Sequence, residues 1–409
     1  MTTAWKCQTL EEACQFSNGL WKGEKPPFVH VGVIRNTNFT KEGALDDSDI
    51  AYLDVEAKKL EKRSLQFGDV ILEKSGGGPK QPVGRVVLFD KTEGIFSFSN
   101  FTAALRVRDP QSLDFRFLHK FLHWAYVSGI TGGMQSHSTG IRNLDGDAYK
   151  AIKIKYPPLP EQQRIVTLLD EAFGGIATAK ANAEKNRQNA QELFESYLDA
   201  ALSRNSVGYS ETTLGAEVDL LPGYAFPSGG YTESPGDVRL LRGDNIMQGY
   251  FRWEEAKSWP AKDCSPYSRF ALQEGDVVIA MDRPWVKAGL KRAQICVDDL
   301  PSLLVQRTSR LRTRGKMRMD FLFHLTGSQS FSRHLLEVQT GIGVPHISGK
   351  QIESFRFMLP PLSDQESIAD SLNELQSNSE RLEKIYEQKL AALDELKNSL
   401  LDQAFNGNL

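Results

Sequence analysis

The chain has 409 residues, which is enough for two or three domains of ordinary size. Its 49 Lys and Arg side chains nearly balance 52 Asp and Glu side chains, so the formal net charge of −3 excludes a polycationic tail but permits a local basic face. Four cysteines are too few for a disulfide framework in a chain of this length, and their spacing is not that of zinc ligands, so we predict neither disulfides nor a metal site. Because there is no apolar leader and no long apolar run, we predict a cytoplasmic protein without a membrane span.

Internal duplication is the strongest pattern in the sequence. Four segments recur in the same order about 200 residues further along the chain. The pairs are LQFGDV at 65–70 with LQEGDV at 272–277, LRVR at 105–108 with LRTR at 311–314, TGI at 139–141 with TGI at 340–342, and PPLPEQQRI at 157–165 with PPLSDQESI at 360–368. A period of this length is too long for a solenoid, so it predicts one unit that occurs twice.

Each copy of the unit divides into a mixed part and a helical part. The mixed parts, residues 1–157 and 206–359, are rich in Gly, Pro and aromatic residues. Their short β-like runs are followed by short helical patterns, so we predict two α+β globules. The helical parts, residues 158–205 and 360–409, begin at the Pro-Pro-Leu block and continue without proline, which predicts one long helix in each.

Apolar residues recur at intervals of seven along both predicted helices. The predicted packing residues are Ile165, Leu169, Ala172, Ala179 and Leu193 in the first helix and Ile368, Leu375, Leu382 and Leu396 in the second. Each helix would extend ~63 Å, too far for a small globule to cover. We therefore predict that the helices pack as an antiparallel coiled coil, which would relate the two globules by a pseudo-twofold axis. The alternative is that each helix packs on its own globule.

Charge is divided unevenly between these parts. The globules carry net charges of +3 and +2, whereas the helical parts carry −2 and −6. Residues 279–318 hold ten basic and three acidic side chains, and Arg310, Arg312 and Arg314 alternate as they would along one face of a strand. Such a face can neutralise phosphates. Intramolecular ion pairs that support the fold are the alternative explanation for these arginines.

Two loops carry side chains suited to reading the edges of bases. The loop at 282–292 mixes Arg, Lys and Trp, and its counterpart at 74–82 is rich in glycine, which permits a close approach of the backbone. Arg and Lys favour guanine, whereas Asn and Gln favour adenine. The candidate DNA-binding residues are Arg35, Asn38, Lys74, Ser75, Lys80 and Arg85 in the first globule and Arg242, Asn245, Arg283, Trp285, Lys287, Lys291, Arg292, Arg310, Arg312 and Arg314 in the second.

Motifs that would indicate catalysis are absent from the sequence. There is no nucleophile elbow, no zinc-protease motif and no spaced set of His and Cys ligands, and the glycine-rich loop lacks the Gly-Lys-Ser/Thr ending of a P-loop. Three hypotheses remain: a DNA-reading subunit, a two-headed scaffold that assembles partners through its coiled coil, and an enzyme with an unrecognised site. The basic stretch favours the first over the second, and the missing motifs disfavour the third.

The sequence resembles the specificity (S) subunit of type I restriction-modification systems in four features. These are the duplicated unit, its Gly-Asp-Val strand start, its Thr-Gly segment and the block Pro-Pro-Leu-x-x-Gln-x-x-Ile before a long helix. The resemblance covers essentially the whole chain. It implies two target-recognition domains, separated by two long helices in an antiparallel coiled coil, that each read one half of a bipartite, asymmetric site in double-stranded DNA.

The same resemblance implies partners and a non-catalytic role. The helices would set the spacing of the half-sites and dock two modification (adenine methyltransferase) subunits, which restriction subunits join. No cofactor is then expected on this chain, because S-adenosylmethionine, ATP and Mg²⁺ would belong to the partner subunits. Since target-recognition domains vary greatly within the family, the candidate contact residues rest on charge and loop composition alone.

Overall fold

The computed structural model describes the ranges 5–20, 23–78, 81–138, 141–202, 208–286, 289–340 and 345–406 and residue 409, with backbone alone at 137–138. Contacts divide the chain into two compact units. The first unit consists of Met1–Ala183 together with Gln388–Leu409, and the second unit consists of Glu184–Glu387. Each unit contains one globule and a portion of both long helices. These units cut across the segment boundaries proposed from the sequence, which stay predictions.

The first globule is a mixed α+β fold. Its strands are β1 (Lys6–Thr9), β2 (Cys14–Asn18), β3 (Phe28–Ile34), β4 (Ala51–Glu56), β5 (Val70–Glu73), β6 (Ser75–Gly77), β7 (Val86–Leu88), β8 (Phe96–Phe98), β9 (Thr102–Val107), β10 (Gln135–Ser138), β11 (Ile141–Leu144) and β12 (Lys153–Tyr156). Its helices are α1 (Leu10–Ala13), α2 (Ala57–Leu60), α3 (Phe115–Val127) and α4 (Gly146–Lys150). The long helix α5 (Leu159–Leu202) follows.

The second globule repeats most of this order of elements. Its strands are β13 (Ser210–Thr213), β14 (Val218–Pro222), β15 (Val238–Leu241), β16 (Ser258–Trp259), β17 (Val277–Ala280), β18 (Trp285–Val286), β19 (Gly289–Leu290), β20 (Arg292–Gln294), β21 (Ser302–Leu304), β22 (Thr308–Thr313) and β23 (Arg356–Leu359). Its helices are α6 (Leu214–Glu217), α7 (Met319–Gly327), α8 (Gln329–Val338) and α9 (Gly349–Glu353), and the long helix α10 (Leu362–Phe405) ends the described helices.

Sheet topology confirms the duplication inferred from the sequence. The antiparallel sheet β2-β9-β5-β7 of the first globule corresponds to β14-β22-β17-β20 of the second. The sheets β4-β3-β8 and β16-β15-β21 also correspond, and each combines one antiparallel with one parallel pair. The pairs β1-β12 and β13-β23 close the two globules in the same way. Two of the repeated segments therefore lie at equivalent strands: the Gly-Asp-Val segments enter β5 and β17, and the Leu-Arg segments lie in β9 and β22.

In the first unit, helix α3 joins the globule to the long helices. Asp114 caps α3 by accepting the backbone N–H groups of Arg116 at 2.7 Å and Phe117 at 3.3 Å. The apolar face of α3 packs against the end of α10, where the Phe117 and Phe121 rings meet Phe405 edge-to-face at centroid distances of 5.3 and 5.6 Å. This contact fixes the end of α10 to the first globule.

In the second unit, helices α7 and α8 have the corresponding position. The Ser328 hydroxyl caps α8 by accepting the N–H of Phe331 at 3.1 Å. The Phe331 ring packs edge-to-face on Phe355 at 5.0 Å within the core of the globule. Leu202 from α5 and Ile368 from α10 pack against the same core. Both long helices therefore contribute to this unit as well.

The two long helices are antiparallel within each unit. In the first unit, Arg164 donates a hydrogen bond to the Leu409 carbonyl at 3.2 Å, and further along α5 Lys180 pairs with Asp394. Residue numbers therefore rise along α5 while those of the partners fall, from Leu409 beyond the end of α10 to Asp394 within it. In the second unit, the charges of Glu383 and Glu387 in α10 act on Arg187 in α5, and further along α5 the carbonyl of residue 190 accepts a hydrogen bond from the Ser379 hydroxyl at 3.4 Å. The predicted antiparallel packing is confirmed in each unit.

The register of the packing stripe differs from the predicted one. Ile165 and Leu169 are buried, and Ala172, Ala179, Ile368 and Leu375 are half-buried. The assignment is wrong for three leucines, which are 62%, 41% and 48% exposed: Leu193, Leu382 and Leu396. A seven-residue spacing fixes the period but not which of two adjacent apolar residues faces inward. Here the inward positions are taken by neighbours such as Leu198 and Leu393.

A glutamine of the Pro-Pro-Leu block fastens α5 to the first globule. Gln162 is completely buried in its unit. Its side-chain oxygen accepts the N–H of Asp114 at 2.8 Å, and its amide donates to the carbonyls of Ser112 and Pro157, each at 2.8 Å. A buried amide requires hydrogen-bond partners for its oxygen and its nitrogen, and here all of these partners are backbone groups.

The second copy repeats this arrangement at the start of α10. Gln365 is also completely buried, accepts the N–H of Arg318 at 2.8 Å, and donates to the carbonyls of Lys316 and Pro360 at 3.0 and 2.8 Å. The glutamine of the repeated block is therefore a structural joint between globule and helix. Its role explains why the block precedes both helices.

Replacing Gln162 with Ala should lower the free energy of unfolding by about 2–4 kcal/mol, because a buried N–H and two carbonyls lose their partner. The adjacent Gln163 is exposed, so Gln163→Ala is the matched control and should change stability by less than about 0.5 kcal/mol. Chemical denaturation of the full chain measures both values. Equal effects of the two substitutions would contradict this role.

Candidate nucleic-acid interface

In the first unit, the glycine-rich loop pairs with β11, the strand that follows the Thr-Gly segment in the sequence. Strand β6 pairs with β11, which places Ser75 opposite Asn143 and Gly77 opposite Arg142. The Ser75 hydroxyl donates to the Asn143 side-chain oxygen at 2.5 Å. The adjacent Lys74 ammonium donates to Asn18 at 2.9 Å, and its partial burial lowers the pKa of Lys74. Two sequence features predicted separately thus form one surface.

The second unit brings the corresponding features together. Strands β18 and β19 form a short hairpin in the basic loop, and Asp282 at its base forms a β-bridge with His346, next to the second Thr-Gly segment. The backbone N–H of Arg283 donates to the Pro345 carbonyl at 3.0 Å. The Trp285 indole N–H donates to a side-chain oxygen on the same segment, that of residue 339, at 2.9 Å. We call these two surfaces, one in each unit, the loop surfaces.

Several predicted contact residues are held within the fold instead. Arg85 pairs with the buried Glu73 at 2.7 Å and donates to the Phe39 and Asn36 carbonyls. Burial alone would lower the pKa of Arg85, but the hydrogen bond and charge of Glu73 outweigh it and raise that pKa. In the first unit, the prediction of a DNA contact by Arg85 is therefore not supported.

The alternating arginines of β22 also face carboxylates. Arg312 makes a two-pronged ion pair with buried Asp276, with its Nε and Nη2 each 2.7 Å from a carboxylate oxygen, and this hydrogen bonding raises the pKa of Arg312. Arg310 is buried and pairs with Asp219. Because β22 ends at Thr313, the predicted alternation does not extend along the strand to Arg314. The alternative explanation, support of the fold, applies to Arg310 and Arg312.

Two further cations lie inside the second globule. The Arg292 guanidinium stacks on the Phe323 ring at 4.2 Å and donates to the Phe323 carbonyl at 2.8 Å, and burial lowers the pKa of Arg292 to about 10. The Lys291 ammonium donates to the Gly243 carbonyl at 2.8 Å. These contacts assign both side chains to packing of the globule.

The repeated Arg-Asn pairs are local turns. The side-chain oxygen of Asn38 accepts the N–H of Arg35 at 2.9 Å, and that of Asn245 accepts the N–H of Arg242 at 3.1 Å. Both amides are buried and donate to further backbone carbonyls. The prediction that they face adenine is not supported, because their hydrogen-bonding groups are used within the fold.

The remaining candidates keep exposed or partly exposed groups. Arg283 and Arg314 are exposed, and Lys74, Ser75, Trp285, Arg35 and Arg242 are partly exposed. Lys80 and Lys287 lie outside the described residues. Contact of this set with DNA stays a prediction.

Sequence reasoning missed residues that the strands bring to the loop surfaces. Arg307 lies at the turn before β22, where its guanidinium Nε is 3.1 Å from Asp282. The same carboxylate accepts a hydrogen bond from His346. Arg283 and Arg307 adopt left-handed backbone conformations, with φ of 47° and 66°, which non-glycine residues adopt rarely and chiefly at functional sites. The signal available in the sequence was that Arg307 has the same position in the second copy of the repeat as Phe101 has in the first.

Neither a metal centre nor a membrane segment is found in the described ranges. In that part of the chain no cluster of three or more His, Cys, Asp or Glu side chains is arranged to hold a metal ion. None of the described helices combines the length and apolarity that crossing a membrane requires.

Two homologous globules, each joined to a long helix and each bearing a loop surface, define a duplicated recognition protein. A family model described as the type I restriction modification DNA specificity domain matches residues 5–186 and 243–390. The chain belongs to this family and is related to the specificity subunits of type I restriction-modification systems.

Curated relatives are similar over parts or most of the chain. The specificity subunit of EcoAI from Escherichia coli is 34% identical over 49% of this chain and 33% of its own length. That of MjaVIII from Methanocaldococcus jannaschii is 27% identical over 65% of each chain. That of EcoKI from Escherichia coli K12 is 24% identical over 93% of this chain and 82% of its own. The matches thus span a third and about two thirds of the first two relatives.

Solved structures share the fold. A chain from a study of complex assembly and conformational transition in a type I restriction-modification system superposes with a TM-score of 0.79, at 17% identity, over 99% of this chain and 98% of its own. The HsdS subunit from Thermoanaerobacter tengcongensis superposes with a TM-score of 0.63, at 18% identity, over 100% and 98% of the two chains.

Proposed function

We propose that this chain is the DNA-recognition subunit of a type I restriction-modification complex. Each globule reads one half of a bipartite, asymmetric site in double-stranded DNA. The long helices set the distance between the half-sites and dock two modification subunits, which restriction subunits join. The chain itself is non-catalytic, and S-adenosylmethionine, ATP and Mg²⁺ are bound by its partners.

The observation that carries this proposal is the repeated loop surface. In both globules the loop is hydrogen-bonded to residues that follow the Thr-Gly segment in the chain, Arg142 and Asn143 in the first and Pro345 and His346 in the second. Side chains held on a rigid sheet can be presented to base edges with little entropic cost. The surfaces differ in composition, as two readers of an asymmetric site must.

The exposed side of the long helices supports docking of protein partners. In the second unit, Leu193 and Tyr197 of α5 and Leu382 and Ile385 of α10 are 41% to 62% exposed. Apolar side chains in such numbers are typical of surfaces that bind another protein. The same observation favours the second candidate function, a scaffold that assembles partners without touching DNA.

Exchanging residues 206–359 for the matching part of a relative with a different target separates the two functions. The complex reconstituted with modification subunits should then methylate a site in which one half is changed and the other is retained. Sequencing of methylated positions in genomic DNA measures both halves. The matched control is the exchange of residues 1–157, which should change the opposite half.

A change of both halves by either exchange would contradict one reader per globule. A scaffold that does not touch DNA would leave the methylated sequence unchanged in both exchanges.

A further inference from the structure

Both globules place a large exposed side chain at the same position of the same turn. In the first, Phe101 follows β8, and its carbonyl accepts the N–H groups of Lys74 and Ser75 at 3.0 and 3.2 Å. In the second, the Arg307 carbonyl accepts the N–H of Met281 at 2.8 Å, at the equivalent position of the loop. The backbone thus presents Phe101 and Arg307 in the same way, each against its loop surface.

A side-chain hydrogen bond closes this turn in both copies. The hydroxyl of Thr102 donates to the carbonyl of Ser99 at 2.8 Å, and that of Thr308 donates to the carbonyl of Val305 at 2.6 Å. The side chains beyond these turns are nonetheless turned to solvent, since Phe101 is 41% exposed and the Arg307 side chain 70%. Both side chains are therefore accessible to a ligand that approaches the loop surface.

The guanidinium of Arg307 is oriented from one side only. Its Nε faces Asp282 at 3.1 Å, and His346 holds the other oxygen of this carboxylate. Among the described residues neither Nη atom of Arg307 has a hydrogen-bond partner. An arginine fixed at Nε keeps its two outer N–H groups for a planar acceptor pair.

We propose that this turn position determines specificity in each reader, with Arg307 recognising a guanine and Phe101 packing on a thymine methyl group in the major groove. Guanine O6 and N7 form the acceptor pair that arginine binds in two-pronged fashion, and the thymine methyl is the apolar group available to an aromatic ring. This inference rests on the proposed function. It adds which residue distinguishes the two half-sites, and by what chemistry.

The test uses the complex reconstituted with its modification subunits and a library of duplexes randomised within the site. Arg307→Gly removes the side chain while glycine accepts the left-handed backbone. Discrimination at one G·C pair, in one half-site, should fall about 10- to 100-fold. Arg307→Lys retains the charge but not the two-pronged geometry, so it should lose discrimination at the same pair. Phe101→Ala should reduce discrimination at one A·T pair in the other half-site, by a smaller factor.

Two exposed residues serve as matched controls. Arg356, whose side chain is 76% exposed and pairs with Glu211, is the control in the second unit, and Phe28, 47% exposed, is the control in the first. Arg356→Ala and Phe28→Ala should leave every base preference unchanged. If the wild-type complex selects a bipartite site but the Arg307 and Phe101 variants keep its preferences, this inference is wrong and the proposed function stands. A wild-type complex without sequence preference would overturn the proposed function itself.

Discussion

Replacing Arg312 with Ala is expected to lower the free energy of unfolding by about 3–5 kcal/mol, because it leaves a buried carboxylate without its counter-charge. Asp276 is 1% exposed, and both of its oxygens face the Arg312 guanidinium at 2.7 Å. The same carboxylate also accepts the N–H of Gln273 at 2.7 Å, which ties it to the strand start. Chemical denaturation of the full chain measures the loss.

Arg314→Ala is the matched control, since Arg314 is exposed and donates only a long hydrogen bond to a carbonyl, at 3.4 Å. It should change the free energy of unfolding by less than about 0.5 kcal/mol. Arg106→Ala should reproduce the large loss in the first unit, because Arg106 pairs with buried Asp69 in the same geometry. Unchanged stability of Arg312→Ala with weakened DNA binding would restore the contact role predicted from the sequence.

Affinity of the assembled complex for duplex DNA should fall steeply as salt rises. Neutralising six phosphates releases enough counter-ions to cost about 10³-fold between roughly 50 and 200 mM salt. Arg283→Ala should reduce the slope of log K against log salt by about one, because its exposed guanidinium extends from the loop surface. Equilibrium binding at a series of salt concentrations gives the slope.

Arg356→Ala removes an exposed arginine outside the loop surfaces and is expected to leave this slope unchanged. Binding that does not respond to salt, or no binding even with modification subunits present, would argue against recognition of DNA by this chain.

The duplication, the α+β class and the long antiparallel helices could be predicted because they rest on spacing that the sequence displays. The inward register of the helices could not be predicted. Leu193 and Leu198 are both apolar, and only packing within the second unit decides that Leu198 is buried and Leu193 exposed. Likewise, alternation along β22 indicated one face for Arg310 and Arg312, but not that carboxylates from two other segments would meet it.

The candidate site was predictable in outline only. Composition identified the loops at 74–82 and 282–292, and the repeat identified the Thr-Gly segments, but the pairing of each loop with the residues after these segments joins positions distant in sequence. Arg307 and Phe101 escaped notice because their importance lies in a shared backbone position between two dissimilar residues, which composition does not reveal.

The glutamine joint has a consequence for how such proteins diversify. Gln162 and Gln365 bind their globules through main-chain N–H and carbonyl groups alone, so the joint makes no demand on the side chains of the globule it holds. In the first unit, a globule with different surface residues would fit the same joint as long as its backbone reaches it and its counterpart of α3 keeps the apolar contact with α10. On the proposed function, replacement of a whole globule would change the target and leave the helical framework unchanged.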